Sequence, residues 1–177
     1  MTAAAATPLH LVVMGVSGCG KTLIGRAVAR ALSLEFIEGD ELHSPRNVAL
    51  MAAGTPLTDA DRADWLATIA ARLGSAQAAG QGLVVSCSAL KRSYRDTLRR
   101  GARGLQLVHL AGTPALLAAR TAHRPGHYMP ASLLASQFAT LEPPGADEHA
   151  LTFDVVQPPS SIVNAVCAAI SSQARPN

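Results

Sequence analysis

Short apolar runs alternate with stretches of helical periodicity along the chain. Leu9-His10-Leu11-Val12-Val13-Met14 is nearly continuous in apolar character, the pattern of a strand buried on both faces. A glycine-rich turn follows, and from Thr22 to Leu32 the apolar residues Ile24, Val28, Ala31 and Leu32 fall at helical spacing. Leu34-Glu35-Phe36-Ile37 predicts a second strand, closing on Glu38-Gly39-Asp40. From Ser44 to Leu73 the pattern is helical, with a break at Gly54-Thr55-Pro56. Thr58 or Asp59 is the expected cap of the second piece, with Asp61 in its first turn near the positive end of the dipole. A third strand over Gly82–Cys87 precedes a helix over about Lys91–Arg100, and a fourth over Leu105–Leu110 precedes a helix over Pro114–Arg120. A helix over Pro130–Leu141, a turn at Glu142-Pro143-Pro144-Gly145, a strand over Thr152–Val156 and a helix over Ser160–Ser171 complete the pattern.

Strands that alternate with helices make βαβ units, which require parallel pairing. The expected fold is therefore α/β: a five-stranded parallel sheet with helices on both faces, forming one domain over residues 9–173. Residues 1–8 are expected to be a disordered extension. The stretch His123–Pro130, with its Pro, Gly, His and Tyr, is expected to form part of a lid over residues 120–130. Ligands of such sheets bind beyond the carboxyl ends of the strands. That rule brings Met14-Gly15, Glu38–Asp40 and Cys87-Ser88 into one crevice.

Composition narrows the picture. Aromatic residues make up only 3% of the chain, so an Ala/Leu/Val core of helices on a sheet fits better than a β-sandwich. The net charge of +3 can serve anionic ligands as readily as nucleic acid, but no block of like charges forms a basic tail, and no nucleic-acid partner is expected. The three cysteines are widely spaced and form no CxxC or Cys/His metal pattern, so a reducing compartment is expected. The N-terminus lacks the basic start and apolar stretch of a signal peptide, and no apolar run reaches a membrane span. A cytoplasmic protein is expected.

Candidate chemistry begins at Gly15-Val16-Ser17-Gly18-Cys19-Gly20-Lys21-Thr22, which matches the phosphate-binding pattern GxxxxGK[ST] between a strand and a helix. Its glycines let successive backbone N–H groups turn inward onto phosphate oxygens. Lys21 adds a point charge for the β- and γ-phosphates, and the Thr22 hydroxyl is placed to ligate Mg²⁺. The loop implies a nucleoside triphosphate but does not identify an acceptor.

Further segments supply the acceptor. Gly39-Asp40-Glu41-Leu42-His43, Arg46-Asn47, Pro56-Leu57-Thr58-Asp59-x-Asp61-Arg62-x-x-Trp65-Leu66 and Cys87-Ser88-Ala89-Leu90-Lys91-x-x-Tyr94-Arg95-Asp96-x-Leu98-Arg99 resemble the gluconokinases. So do His127-Tyr128-Met129-Pro130, Ser136-Gln137-Phe138-x-x-Leu141-Glu142-x-Pro144 and Gln157-Pro158, in order from about Leu11 to Ile170. The resemblance implies an ATP:D-gluconate 6-phosphotransferase with a nucleoside-monophosphate-kinase-like fold, a homodimer, and contacts from Gln157 and Pro158 to adenine. Two positions depart from the family pattern: Cys19 where serine is common, and Tyr128 where phenylalanine is frequent. Neither removes a catalytic group.

The residue types suit that role. Asp40 at the end of the second strand can orient or deprotonate an attacking hydroxyl, or it can cap a turn after Gly39. Glu38 is placed to hold a magnesium-bound water, as Asp40 is, or stands as a solvated strand end. His43 and Ser88 can bond polyol hydroxyls. A sugar acid needs a cationic fork for its carboxylate, and Arg46 and Arg95 are the candidates. Lys91 shares a helical face with Arg95 at four residues' spacing, while Arg92 and Arg99 read as solvated surface. Asp59, Asp61, Asp64, Asp147 and Glu148 read as capping and solvated-face residues. Arg120 and Arg124, also four apart, would repel without an anion between them, and the transferring phosphoryl group can supply it. His127 on the lid can touch substrate or satisfy a turn.

Two other readings fit the loop alone. One is a kinase of the same fold for another small acceptor, such as shikimate or a nucleoside monophosphate. Gly39-Asp40-x-x-His43 and Ser88-Ala89-Leu90-Lys91 weigh against it, since a nucleobase pocket calls for more aromatic or apolar lining. The other is a nucleotide-binding regulatory module, which has no use for the polar set Asp40, His43, Arg46 and Arg95.

Overall fold

The computed structural model describes residues 7–122 and 131–173. Residues 1–6 of the expected extension, together with Arg124, His127 and Tyr128, lie outside the described residues. The strands are β1 (His10–Met14), β2 (Glu35–Glu38), β3 (Leu83–Ser86), β4 (Gln106–Ala111) and β5 (Leu151–Asp154). They pair in parallel in the order β2-β3-β1-β4-β5. From β1 the chain passes to the β2 and β3 side of the sheet, then crosses to β4 on the other side. The strand order therefore reverses at β1, and a crevice opens beyond its carboxyl end.

The apolar run of β1 is continuous because both faces are covered. Leu11 and Val13 pack with Val28 of α1 (Lys21–Ala31) and Val166 of α7 (Pro159–Gln173). Val12 and Met14 pack with Ile69 of α3 (Asp59–Ala78) and Leu98 of α4 (Arg92–Gly101). All four strand residues have no exposed surface, and each such side chain contributes about 1.5–3 kcal/mol through burial. The remaining helices are α2 (Pro45–Ala52), α5 (Pro114–Ala122) and α6 (Ala131–Thr140). A 3-10 turn over Gly39–Leu42 extends β2 toward the crevice.

The helical stretch from Ser44 divides where Gly54-Thr55-Pro56 predicts. Ser44 caps α2 by accepting from the Asn47 N–H. Thr58, not Asp59, caps α3: its hydroxyl accepts from the Asp61 N–H at 3.2 Å, and Asp61 accepts in return from the Thr58 N–H at 2.9 Å. The Thr58 hydroxyl, donating to the Asp61 carboxylate at 2.7 Å, then the Thr58 N–H and Arg46 hold that carboxyl down at about 2. Among the described residues no helix is long and apolar enough to cross a membrane.

Candidate functional site

The loop between β1 and α1 is shaped by backbone constraints. Gly15 has φ +139°, and a Cβ there would stand 2.6 Å from the Leu110 carbonyl oxygen, so only glycine fits. Helix α1 starts at a left-handed Gly20 with no side-chain cap and no acidic residue in its first turn. Its first N–H groups and its positive end are thus left for an anion. Lys21 folds back over the loop, donating to the Val16 carbonyl at 3.1 Å. The Ser17 N–H donates to Gln137 Oε1 of α6 at 2.7 Å.

Next to the loop, Thr22 donates from its hydroxyl to Glu38 Oε2 at 2.5 Å, and Ser86 donates to the other oxygen of the same carboxylate. Two hard oxygen donors therefore meet beside the phosphate loop. Mg²⁺ takes one or two protein oxygens and completes its shell with phosphate and water, so this donor set fits it. Among the described residues no group of three or more His, Cys, Asp or Glu is placed to hold a metal ion.

The chain after β2 must pass close under β3. A Cβ on Gly39 would stand 2.1 Å from the Ser86 carbonyl oxygen, which fixes glycine before Asp40. The Gly39 N–H donates to Ser86 Oγ at 3.2 Å, and its carbonyl accepts from the Trp65 indole at 2.7 Å. Trp65 in turn stacks on the His43 ring, with centroids 4.1 Å apart. Burial lowers the His43 pKa, Asp40 opposes the shift and Arg62 reinforces it, which favours a neutral imidazole. Asn47, itself buried, lies with its amide nitrogen 3.4 Å from His43 Nδ1.

These elements enclose a cavity with a polar wall of Ser17, Lys21, Asp40, His43, Arg62 and Ser88. Leu57, Trp65 and Leu133 supply its apolar side. Cys19 and Cys87 are buried free thiols, and burial pushes Cys87 up to about 12, so neither acts as a nucleophile.

The cationic fork expected from Arg95 is not in this cavity. Arg95 is 1% exposed, and each of its three side-chain nitrogens is hydrogen-bonded. Nε and Nη2 pair with Glu148 at 2.7 Å each, and Nη1 donates to the carbonyls of Ala89, Leu90 and Glu142. The correction extends to Glu148, expected on a solvated face: its side chain is buried and also accepts from Arg99 at 2.8 Å. Arg99 is thus largely a structural ion-pair partner and not free surface.

Lys91 does not share a face with Arg95. It precedes α4, and its ammonium reaches Asp59 at 2.8 Å across the Tyr94 ring. Arg46 is exposed and paired with Asp61 at 2.5 Å, outside the cavity lining. Arg120 stands in the last turn of α5 and donates to the Val155 carbonyl at 2.7 Å, next to the loop that carries Gln157 and Pro158. Its charge, like that of Lys21, acts on Cys19 of the phosphate loop.

Arg95 binds Glu148 with its charge fully desolvated, so breaking the pair strands a buried charge. Arg95 and then Arg99 hold the Glu148 carboxyl below its ordinary 4.5, at about 2. A depressed folded pKa gives stability that is present above about 4.5 and lost as pH falls toward 2. Glu148→Gln is expected to lower unfolding free energy by about 3 kcal/mol at pH 7. It should also flatten the acid limb of the stability curve. Urea titrations at a series of pH values check both.

Arg62 and Trp65 stand in a segment that resembles the gluconokinases, without a role assigned to either from the sequence. Arg62 donates to the Leu57 carbonyl and lies over the Tyr94 ring at 5.7 Å, which holds the guanidinium at the cavity wall. The available signal is spacing: Arg62, Trp65 and Leu66 are i, i+3 and i+4 on α3, and Trp65 and Leu66 are buried.

Comparison with known proteins agrees with this geometry. A family described as an AAA domain matches residues 11–144. A gluconokinase of Gluconobacter oxydans is 54% identical over 141 residues, spanning 80% of this chain and 79% of its own. The crystal structure of a gluconokinase from Sinorhizobium meliloti 1021 superimposes with a TM-score of 0.81 at 46% identity, covering 96% of this chain and 99% of that one. An unliganded sugar kinase from Janibacter sp. HTCC2649 gives a TM-score of 0.89 at 45% identity, covering 93% and 95%. With a phosphate loop, a polar acceptor cavity and these relatives, the chain belongs to the gluconokinase family of P-loop kinases.

Proposed function

We propose that this protein transfers the γ-phosphate of ATP to the terminal hydroxyl of D-gluconate, giving 6-phospho-D-gluconate. The observation that carries the reading is the single cavity in which Ser17 and Lys21 of the phosphate loop face Asp40, His43 and Arg62. The loop N–H groups and the start of α1 grip the triphosphate, and Lys21 leaves the Val16 carbonyl for the phosphate oxygens. Mg²⁺, bound with the nucleotide, neutralises phosphate charge, and Thr22 with Glu38 through water are the residues to hold it.

On the acceptor side, nothing among the described residues bonds the Asp40 carboxylate, so it is open to the attacking hydroxyl. His43 and Ser88 serve the remaining polyol hydroxyls. Arg62 replaces Arg46 and Arg95 as the partner of the gluconate carboxylate, because among the described residues it is the arginine that lines the cavity. Arg120 lies at the nucleotide end with Gln157 and Pro158. The family resemblance supports a homodimer, to be checked by light scattering on the purified protein. The free cysteines suit a cytoplasmic setting.

The acceptor assignment is tested by ADP release across gluconate, other aldonates, shikimate and nucleoside monophosphates. Gluconate-dependent turnover is expected to exceed that on shikimate or a nucleotide by at least ~100-fold, the scale set by leaving a charged pocket unpaired. Greater turnover on one of the others overturns the reading. His43 adds a pH prediction. Because its pKa is lowered by burial, it stays neutral down to its ordinary 6.5 and below. The KM for gluconate should therefore be level from pH 8 to about 6.5 and rise only at lower pH. Initial rates at saturating ATP measure this.

A further inference from the structure

One contact joins the two halves of the site through a residue that the proposed reaction does not use. Gln137 Oε1 accepts the Ser17 N–H at 2.7 Å, across 120 residues of sequence. Ser17 is the third residue of the phosphate loop, and both Ser17 and Gln137 line the acceptor cavity with Lys21 and Asp40. The bond therefore sits on the acceptor side of the loop. Gln137 belongs to α6, whose Leu133 and Ser136 form part of the same cavity wall.

Helix α6 is also anchored independently of that bond. Leu134 lies in the core beside β1 and α1, Phe138 packs against that core, and the Glu142 N–H donates to the Leu90 carbonyl at 2.8 Å. Core packing thus fixes the helix beside Gln137, and Gln137 ties it to the phosphate loop. Loop and wall cannot shift relative to one another without breaking that bond or leaving a half-buried N–H without a partner, at a cost of about 1–3 kcal/mol.

We propose that Gln137 is a positioning residue that couples nucleotide binding to acceptor binding. A triphosphate orders the loop, the ordered Ser17 N–H fixes the Gln137 amide, and the amide sets the α6 wall against the acceptor. By linkage the acceptor must strengthen nucleotide binding by the same factor. Gluconate as the acceptor rests on the reading above, but the coupling does not depend on which acceptor fits.

The test measures acceptor affinity by calorimetry with and without a non-hydrolysable ATP analogue, using the acceptor that supports turnover in the panel. Wild type is expected to bind acceptor about five- to tenfold more tightly with the analogue present. Gln137→Leu removes the acceptor atom and Gln137→Ala removes the whole amide. In both the ratio should fall to near one, with nucleotide affinity alone within about twofold of wild type and a Tm lowered only by the few degrees that one unpaired N–H costs. Either folded variant retaining the wild-type ratio overturns the proposal, as does a wild-type ratio of one. Failure of gluconate to bind, with coupling intact for another acceptor, counts against the gluconate reading and leaves the coupling standing.

Discussion

Asp40→Asn is expected to lower kcat by about 10³-fold while leaving the Kd for ATP within about threefold of wild type. Asparagine keeps the size and the hydrogen-bonding oxygen but gives up the charge and the ability to take a proton. Phosphoryl transfer has a loose transition state, in which the attacking hydroxyl keeps its proton until late. An orienting carboxylate would then lose only about tenfold on this change, whereas a proton acceptor loses the full factor. Pre-steady-state quench measurements separate the chemical step from product release. The neighbourhood supports a reactive role: Gly39 is fixed by contact with Ser86, and Trp65 holds the Gly39 carbonyl, so Asp40 is mounted on a rigid turn. Loss of ATP binding in the variant would instead move Asp40 into the metal shell.

The second large effect is expected at Arg62. Arg62→Ala should cut kcat/KM for gluconate by about 10³-fold, mostly through KM, with the KM for ATP changed by less than about threefold. The estimate is the cost of leaving a desolvated carboxylate without its charge partner. Arg62→Lys restores the charge but not the planar two-point fork, so it should recover only part of the loss. Arg62 also bonds the Leu57 carbonyl and stacks on Tyr94. A thermal melt of each variant distinguishes lost recognition from a displaced α3. A full recovery by lysine would mean that charge alone suffices, and no effect from alanine would remove Arg62 from the substrate.

The parts of this protein set by local rules were legible in the sequence. The phosphate loop follows from spacing and a strand-to-helix context, and the strands follow from apolar runs whose faces both meet helices. Arg95 and Glu148 show where that reasoning stops. Four-residue spacing put Lys91 and Arg95 on one face, but Lys91 precedes the helix, and Arg95 lies between Tyr94 and Leu98 on the buried side. A buried arginine is unfavourable alone, and its partner lies 53 residues away, a pairing that no local pattern carries. Arg62 was obscured in the opposite way. The acidic first turn of α3 resembles a solvated helix start, although Trp65 and Leu66 mark the inner face that Arg62 borders. Gln137 likewise stands next to the inward residues Leu134 and Phe138, yet only the fold brings the loop to it.

The central claim is that one cavity aligns the γ-phosphate of ATP with the terminal hydroxyl of gluconate. Proton-coupled ³¹P NMR of the product mixture tests it directly, because a phosphate ester on a CH₂ carbon is split into a triplet and one on a CH carbon into a doublet. The account predicts a new phosphomonoester triplet that grows with ADP only when gluconate and active protein are both present. A doublet, or ATP turnover without any gluconate ester, would contradict it.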